Sequence, residues 1–172
     1  MIPKIRNILY ATDLTENSVY AFRYAINSAQ KYDAQIHILH AIERPLRDFL
    51  ALMFPNLDHD QLVKLWDEKK SEQVNRIQAR LREFAKRELE VRSETQKRVA
   101  SIIVVEGEPA AVILQKAEDL NCDLIIMGTH GKGSISHAFL GSVAEKVLHR
   151  VRKPVFIIPL PEGQIDSSLG NI

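Results

Sequence analysis

Residues 123–147 read "DLIIMGTHGKGSISHAFLGSVAEKV". An apolar run, Leu124 to Met127, passes directly into a stretch holding Gly128, Gly131, Gly133 and Gly141, and then into a helical pattern that opens on Gly141 and Ser142. The spacing predicts a buried strand, a long loop and a helix. A loop that wraps an anion turns its own N–H groups inward, and residues without Cβ permit both positive φ angles and close approach. The helix that follows offers unpaired N–H groups and the positive end of its dipole. Gly141, Ser142 and Val143 are therefore a candidate anion seat, with Gly128, Gly131 and Gly133 shaping the loop before it. Ser142 and Glu145 also have the S-x-x-E spacing of a capping box, in which Ser142 would close the helix. The two roles are compatible.

The same strand-to-helix pattern recurs on both sides of this stretch. "IRNILYA", residues 5–11, is a strand that ends at the cap-rich "TDLTENS", and Val19, Phe22, Ile26 and Ala29 follow on helical spacing. "AQIHILHAI", residues 34–42, is a second strand without polar alternation, as expected when both faces are covered. "RVASIIVVEGEP" gives a third strand, then Gly107, then Pro109 in the first turn of a helix reaching about Leu120. "PVFIIP", residues 154–159, is the last strand. Five strands alternating with four helices predict an α/β fold, an open five-stranded parallel sheet with helices on both faces.

One region departs from the alternation. Between Glu43 and Arg98 lie more residues than one crossover needs. Leu62, Leu65, Trp66, Val74, Ile77, Leu81 and Phe84 mark a long amphipathic helix, broken at most once, with Asp58–Asp60 at its start. Its mixed charges read as a solvated face rather than a binding surface. Ahead of it Leu46, Phe49, Leu50, Leu52, Met53 and Phe54 form an apolar cluster that packs on the sheet, covers a ligand or meets a partner.

Composition narrows the function classes. The 172 residues carry 23 Lys plus Arg against 22 Asp plus Glu, a net charge of +1, which argues against a nucleic-acid or anionic-membrane partner. Any anion must be held by a local site. Cys122 is the single cysteine and cannot form an internal disulfide; with no apolar run near the roughly 18 residues of a membrane span and no leader pattern, a cytoplasmic protein is expected.

In an open parallel sheet, ligands bind beyond the carboxyl ends of the strands where the chain order reverses. Asp13 ends the first strand and Gly128 the fourth, so the two flank one crevice if those strands are neighbours. Asp13 is either a turn residue before a helix or a ligand for a ribose or a phosphate-bound metal. Common nucleotide motifs fail: Gly128 and Gly133 have the Walker spacing, but Ser134 stands where the lysine belongs, and Ser136 stands where G-x-G-x-x-G needs its third glycine. Lys132 reaches a phosphate or projects into water, and His130 positions backbone, donates to a phosphate or acts as a base. His37 and His40 alternate along a buried strand and read as packed, hydrogen-bonded histidines, with no third metal ligand at suitable spacing. Without a Walker lysine or a clear base, no residue is a catalytic candidate.

Gly128, two residues, Gly131, nine residues, then Gly141 and Ser142 reproduce the G-x2-G-x9-G-[S/T] signature of the universal stress proteins. "ILYATDLTENS", "DLIIMGTHG", "GSVAEKVL" and "KPVFIIP" resemble that family's first strand and turn, fourth strand, closing helix and last strand, in order. The resemblance spans nearly everything except residues 43–60 and the tail after Leu160. It implies a Rossmann-like fold of the adenine nucleotide alpha hydrolase type, with strand order 3-2-1-4-5 and a homodimer along the last strand, Val155–Ile158. It implies ATP as ligand, with Mg2+ or Mn2+ as a possible companion. Backbone at Ala11 and Ala41 would contact the adenine and Met127 would lie against the base; Ala41 stands where the family often has valine. Asp13 and Gly128 would hold the ribose, while Gly131, Gly141, Ser142 and Val143 would take the phosphates. Thr12, His130, Lys132 and Gly133 fall within the same set. The expected organisation is a single domain over residues 1–160, with a helical insertion at about 43–75, and a polar tail over 161–172. The expected function is an ATP-dependent sensor or switch in stress response. The alternatives are a slow ATPase or self-phosphorylating enzyme, and a nucleotide-free dimeric scaffold.

Overall fold

The computed structural model describes residues 2–43, 52–90, 97–129 and 140–159. The elements follow in the order β1 (Asn7–Ala11), α1 (Glu16–Tyr32), β2 (Gln35–Ile42), α2 (His59–Glu90), β3 (Val99–Glu106), α3 (Pro109–Asp119), β4 (Leu124–Gly128), α4 (Ser142–Arg150) and β5 (Val155–Ile158). The five strands form one sheet in the order β3-β2-β1-β4-β5, and every pairing is parallel. The chain winds from β1 out to β3, then crosses back to β4. The reversal therefore falls between β1 and β4, which pair Ile8 with Leu124 and Tyr10 with Ile126.

Side-chain alternation along the central strands builds two cores. Ile8 and Tyr10 of β1, with Leu124 and Ile126 of β4, point to the face covered by α1 and α2. Leu9 and Ala11, with Ile125 and Met127, point to the face covered by α3 and α4. The expected stripe of α1, Val19, Phe22, Ile26 and Ala29, is buried in the first core, and Phe22 stacks between Tyr10 and Phe84 with ring centroids 5.0 and 5.1 Å apart. Val19, Phe22 and Ile26 each contribute about 1.5–3 kcal/mol on full burial.

Helix ends follow from local chemistry. α1 stops at Asp33, whose left-handed φ of 53° lets its N–H donate to the Ala29 carbonyl. Asp58 starts α2 with a reciprocal box: Gln61 N–H donates to Asp58 Oδ1 at 2.8 Å, and Asp58 N–H to Gln61 Oε1 at 3.1 Å. α3 begins after Gly107, at φ 158°, with Pro109 in the first turn and the Glu108 carboxylate accepting from Ala111 N–H at 2.8 Å.

α2 is unbroken over its 32 residues, about 48 Å at 1.5 Å per residue. Its second half is anchored: Ile77, Leu81, Phe84, Ala85 and Leu89 are buried. Its first half carries no fully buried residue, and Leu52, Met53 and Phe54 before it are exposed. Leu46, Phe49 and Leu50 lie outside the described residues.

Candidate functional site

A cleft of about 860 Å³ opens beyond the carboxyl ends of the central strands, where the winding reverses. The end of β1 contributes Ala11, Thr12 and Asp13; β2 contributes Ala41; β4 contributes Met127 and Gly128; the start of α4 contributes Gly141, Ser142 and Val143. These nine candidates are scattered over more than 130 positions of sequence, and parallel pairing brings them to one rim. His130, Gly131, Lys132 and Gly133 lie outside the described residues.

Asp13 fills the first of the two roles open to it, that of a turn residue before a helix. Its Oδ1 accepts from the Thr15 N–H at 3.1 Å, from the Thr15 hydroxyl at 2.6 Å and from the Ser18 hydroxyl, while its own N–H donates to Ser18 Oγ at 3.2 Å. This is a side-chain turn that hands the strand over to α1. Leu14, at φ 67°, supplies the bend and donates its N–H to Thr12 Oγ1 at 3.1 Å. A left-handed leucine is unusual backbone, held by the bonds around it. The other oxygen, Asp13 Oδ2, is buried and has no hydrogen-bond partner among the described residues. A lone buried acceptor costs on the order of 1–3 kcal/mol, more for a charged group. Such an atom on a cleft wall is suited to a donor brought by a ligand.

The β4–α4 connection is tied at its base. Thr129 N–H donates to the Ile158 carbonyl at 3.1 Å, and Gly141 N–H donates to the Thr129 carbonyl at 2.8 Å. The intervening loop thus starts and ends at one point of the sheet edge. Gly141 is the N-cap of α4, with extended φ −64° and ψ 149°, and its carbonyl accepts from Glu145 N–H at 2.9 Å. Ser142 is consequently the first helical residue. A capping box needs the serine one position earlier, so the S-x-x-E spacing does not form that box here. Since the Gly141 amide is already engaged, the amides left over at this helix start are those of Ser142, Val143 and Ala144.

Sequence reasoning missed one wall. Gln73, Arg76, Ile77 and Arg80 of α2 also line the cleft. Their spacing, i, i+3, i+4 and i+7, is a single helical stripe, and it places two arginines on either side of buried Ile77. The charged face of α2, read as solvated, is therefore partly a cleft wall. The signal was present in the position of Ile77 on the core stripe, but mixed-sign charge around it is indistinguishable from an ordinary wet helix face.

The other candidates behave as packed residues. His37 Nδ1 lies 2.8 Å from Ser101 Oγ across β2 and β3, and burial holds its pKa below the usual histidine range. His40 Nδ1 lies 2.8 Å from the Thr12 carbonyl and so braces the turn that carries Asp13. Cys122 is buried, and burial pushes its thiol up to about 11, away from thiolate reactivity. No cluster of three metal-ligating side chains occurs among the described residues, and none of the described helices is long and apolar enough to cross a membrane.

An open, all-parallel α/β sheet with its cleft at the winding reversal defines the class: a doubly wound, Rossmann-like fold. Residues 4–159 match the universal stress protein family, and the chain belongs to it. It is 32% identical over 160 residues to the universal stress protein MJ0577 of Methanocaldococcus jannaschii, covering 89% of this chain and 94% of that one. It is 28% identical to a second protein of that organism, MJ0531, over 92% of this chain and 85% of the other. A solved structure of MJ0577 superposes with a TM-score of 0.70 at 25% identity, over 93% of this chain and 99% of that one. The universal stress protein UspA of Lactobacillus plantarum superposes at 0.64 and 21% identity, over 91% of this chain and 99% of the other.

Proposed function

We propose that this universal stress protein binds ATP in the cleft and acts as a nucleotide-dependent sensor or switch of the cytoplasm. The observation that carries the reading is Asp13 Oδ2, a buried oxygen without a hydrogen-bond partner among the described residues, in the same cleft as the start of α4 with Ser142 and Val143. A ribose hydroxyl can donate to the carboxylate, while a phosphate can accept from the helix start. Ala11, Ala41 and Met127 line the same cleft and would offer apolar surface to a base. A universal stress protein of the same fold, 19% identical, has been solved in complex with cAMP, so an adenine nucleotide is the ligand of that protein. A metal accompanying the phosphates would find the carboxylates of Asp13 and Glu43 on the cleft wall.

The proposed organisation is a single domain over residues 1–160 with its insertion at about 43–75. A homodimer through β5 is part of the reading: β5 pairs with β4 on one side, and Phe156 on it is 38% exposed. Phe156→Asp is expected to yield a monomer in light scattering.

The test of the ligand is thermal. At about 100 times its dissociation constant a ligand stabilises the native state by about 2.7 kcal/mol, which for a chain of this size raises Tm by roughly 5–10 °C. ATP is expected to give that shift, and Asp13→Asn to weaken ATP binding about tenfold. Stabilisation by GTP or FMN in place of ATP would overturn the adenine assignment.

A further inference from the structure

We propose that Arg76 and Arg80 of α2 form a second anion-gripping wall of the cleft, so that the inserted helix holds the polyphosphate against the amide seat of α4 and makes affinity depend on phosphate number. The proposal rests on the ATP reading and adds to it a set of residues outside the glycine signature.

The charges lining the cleft lead to it. Among the described residues, the Lys and Arg side chains on its walls are Arg76 and Arg80, and the carboxylates are Asp13 and Glu43. The formal balance of these four groups is zero. A triphosphate adds about four negative charges, next to a buried Asp13 carboxylate that repels it. The amides of Ser142 and Val143 supply partial charges only, equivalent to about half a unit at a helix start. Full positive charge within the described cleft comes from α2 alone.

The arginines are also unspent. Neither is ion-paired among the described residues, although α2 is rich in carboxylates. Glu72, four residues before Arg76 and thus its natural helical partner, is held by Lys69 at 3.1 Å. Lys70 is bound to Glu106 at 3.1 Å and Glu88 to Arg23 at 3.1 Å, which pins α2 to the rest of the molecule on both sides of the arginine pair. Two like charges one turn apart repel, by a few tenths of a kcal/mol in isolated helices. An anion placed between them removes that repulsion, and guanidinium forks suit phosphate oxygens in paired contacts. Both side chains are exposed, and the stretch of helix that carries them is anchored by Ile77 between them, 8% exposed and set in the core.

Titration calorimetry with ATP, ADP, AMP and adenosine tests this on the parent protein, on R76Q/R80Q and on Arg82→Gln, which removes an exposed charge of α2 that does not line the cleft. The double variant is expected to lose ATP affinity by about tenfold or more, AMP affinity less, and adenosine affinity by under about twofold. Arg82→Gln is expected to match the parent for all four. Equal ATP affinity in R76Q/R80Q and Arg82→Gln overturns the proposal and leaves the arginines as a wet rim. An equal loss for adenosine and ATP also overturns it, since the residues would then shape the cleft without reading phosphate. A parent protein that binds none of the four removes the ATP reading, and this proposal with it. Circular dichroism of the double variant establishes that the helix is intact.

Discussion

The two walls of the cleft are made by different physics. The α4 wall is main chain: its amides are placed by the pairing of β4 with β5, by the Thr129–Gly141 bond and by the start of a helix, and side chains matter there by being absent. The α2 wall is side chain: two arginines on a helix positioned by Ile77, Leu81 and Phe84 against the sheet. Backbone sites are written in glycine spacing, because only certain positions tolerate the approach of a ligand. Side-chain sites on an amphipathic helix leave no such mark. The lesson is that a signature can locate one wall of a cleft and be silent on the other.

Breaking the anchor of the α2 wall should have the largest effect. Phe84 is 2% exposed and packs on Phe22, so Phe84→Ala is expected to cost about 3–5 kcal/mol in urea unfolding and to loosen the arginine wall with it. The α4 wall can be broken without harm to the fold. Gly141 has an ordinary φ of −64°, so valine is allowed there by the backbone, and its side chain would occupy the cleft. Gly141→Val is therefore expected to keep the ligand-free Tm and to lose the whole ATP shift, about 2.7 kcal/mol at 100 times the dissociation constant. Gly107→Ala does the opposite. A Cβ there would stand 2.6 Å from Val112 Cγ2, at a φ of 158°, so about 2 kcal/mol of stability should be lost while the ATP shift persists, because Gly107 does not line the cleft.

The fold was legible because burial on two faces leaves uninterrupted apolar strands, and because each helix stripe is spaced to cover them. The order of the strands came from the resemblance, since periodicity cannot say which strands are neighbours. Within the site, Asp13 and Gly128 were legible as strand ends. The split of Asp13 into one engaged and one empty oxygen was not, because it depends on Leu14 entering the left-handed region and turning Thr15 and Ser18 back toward the carboxylate. The same holds for Gly141, whose amide is consumed by Thr129, a bond between loop ends that spacing alone does not reveal.

The smallest effect sharpens the comparison from the α4 side. Glu108 caps α3 through Ala111 N–H and also accepts from Lys146 Nζ at 3.1 Å, which ties the start of α3 to α4 behind the amide seat. The Ala111 hydrogen bond, followed by Lys146, holds its carboxyl below the usual glutamate range. A folded-state value below the unfolded one means that the contribution is present above the ordinary carboxylate pKa and is lost as pH falls through the lowered value. Glu108→Ala is accordingly expected to cost about 1 kcal/mol in urea unfolding near neutral pH. The gap between parent and variant should close as the carboxyl protonates in acid. A gap that stays constant across that range would show the cap to work by packing instead of charge. An ATP shift that falls in step with the gap would show that the tether, and not only the amides, sets the α4 wall.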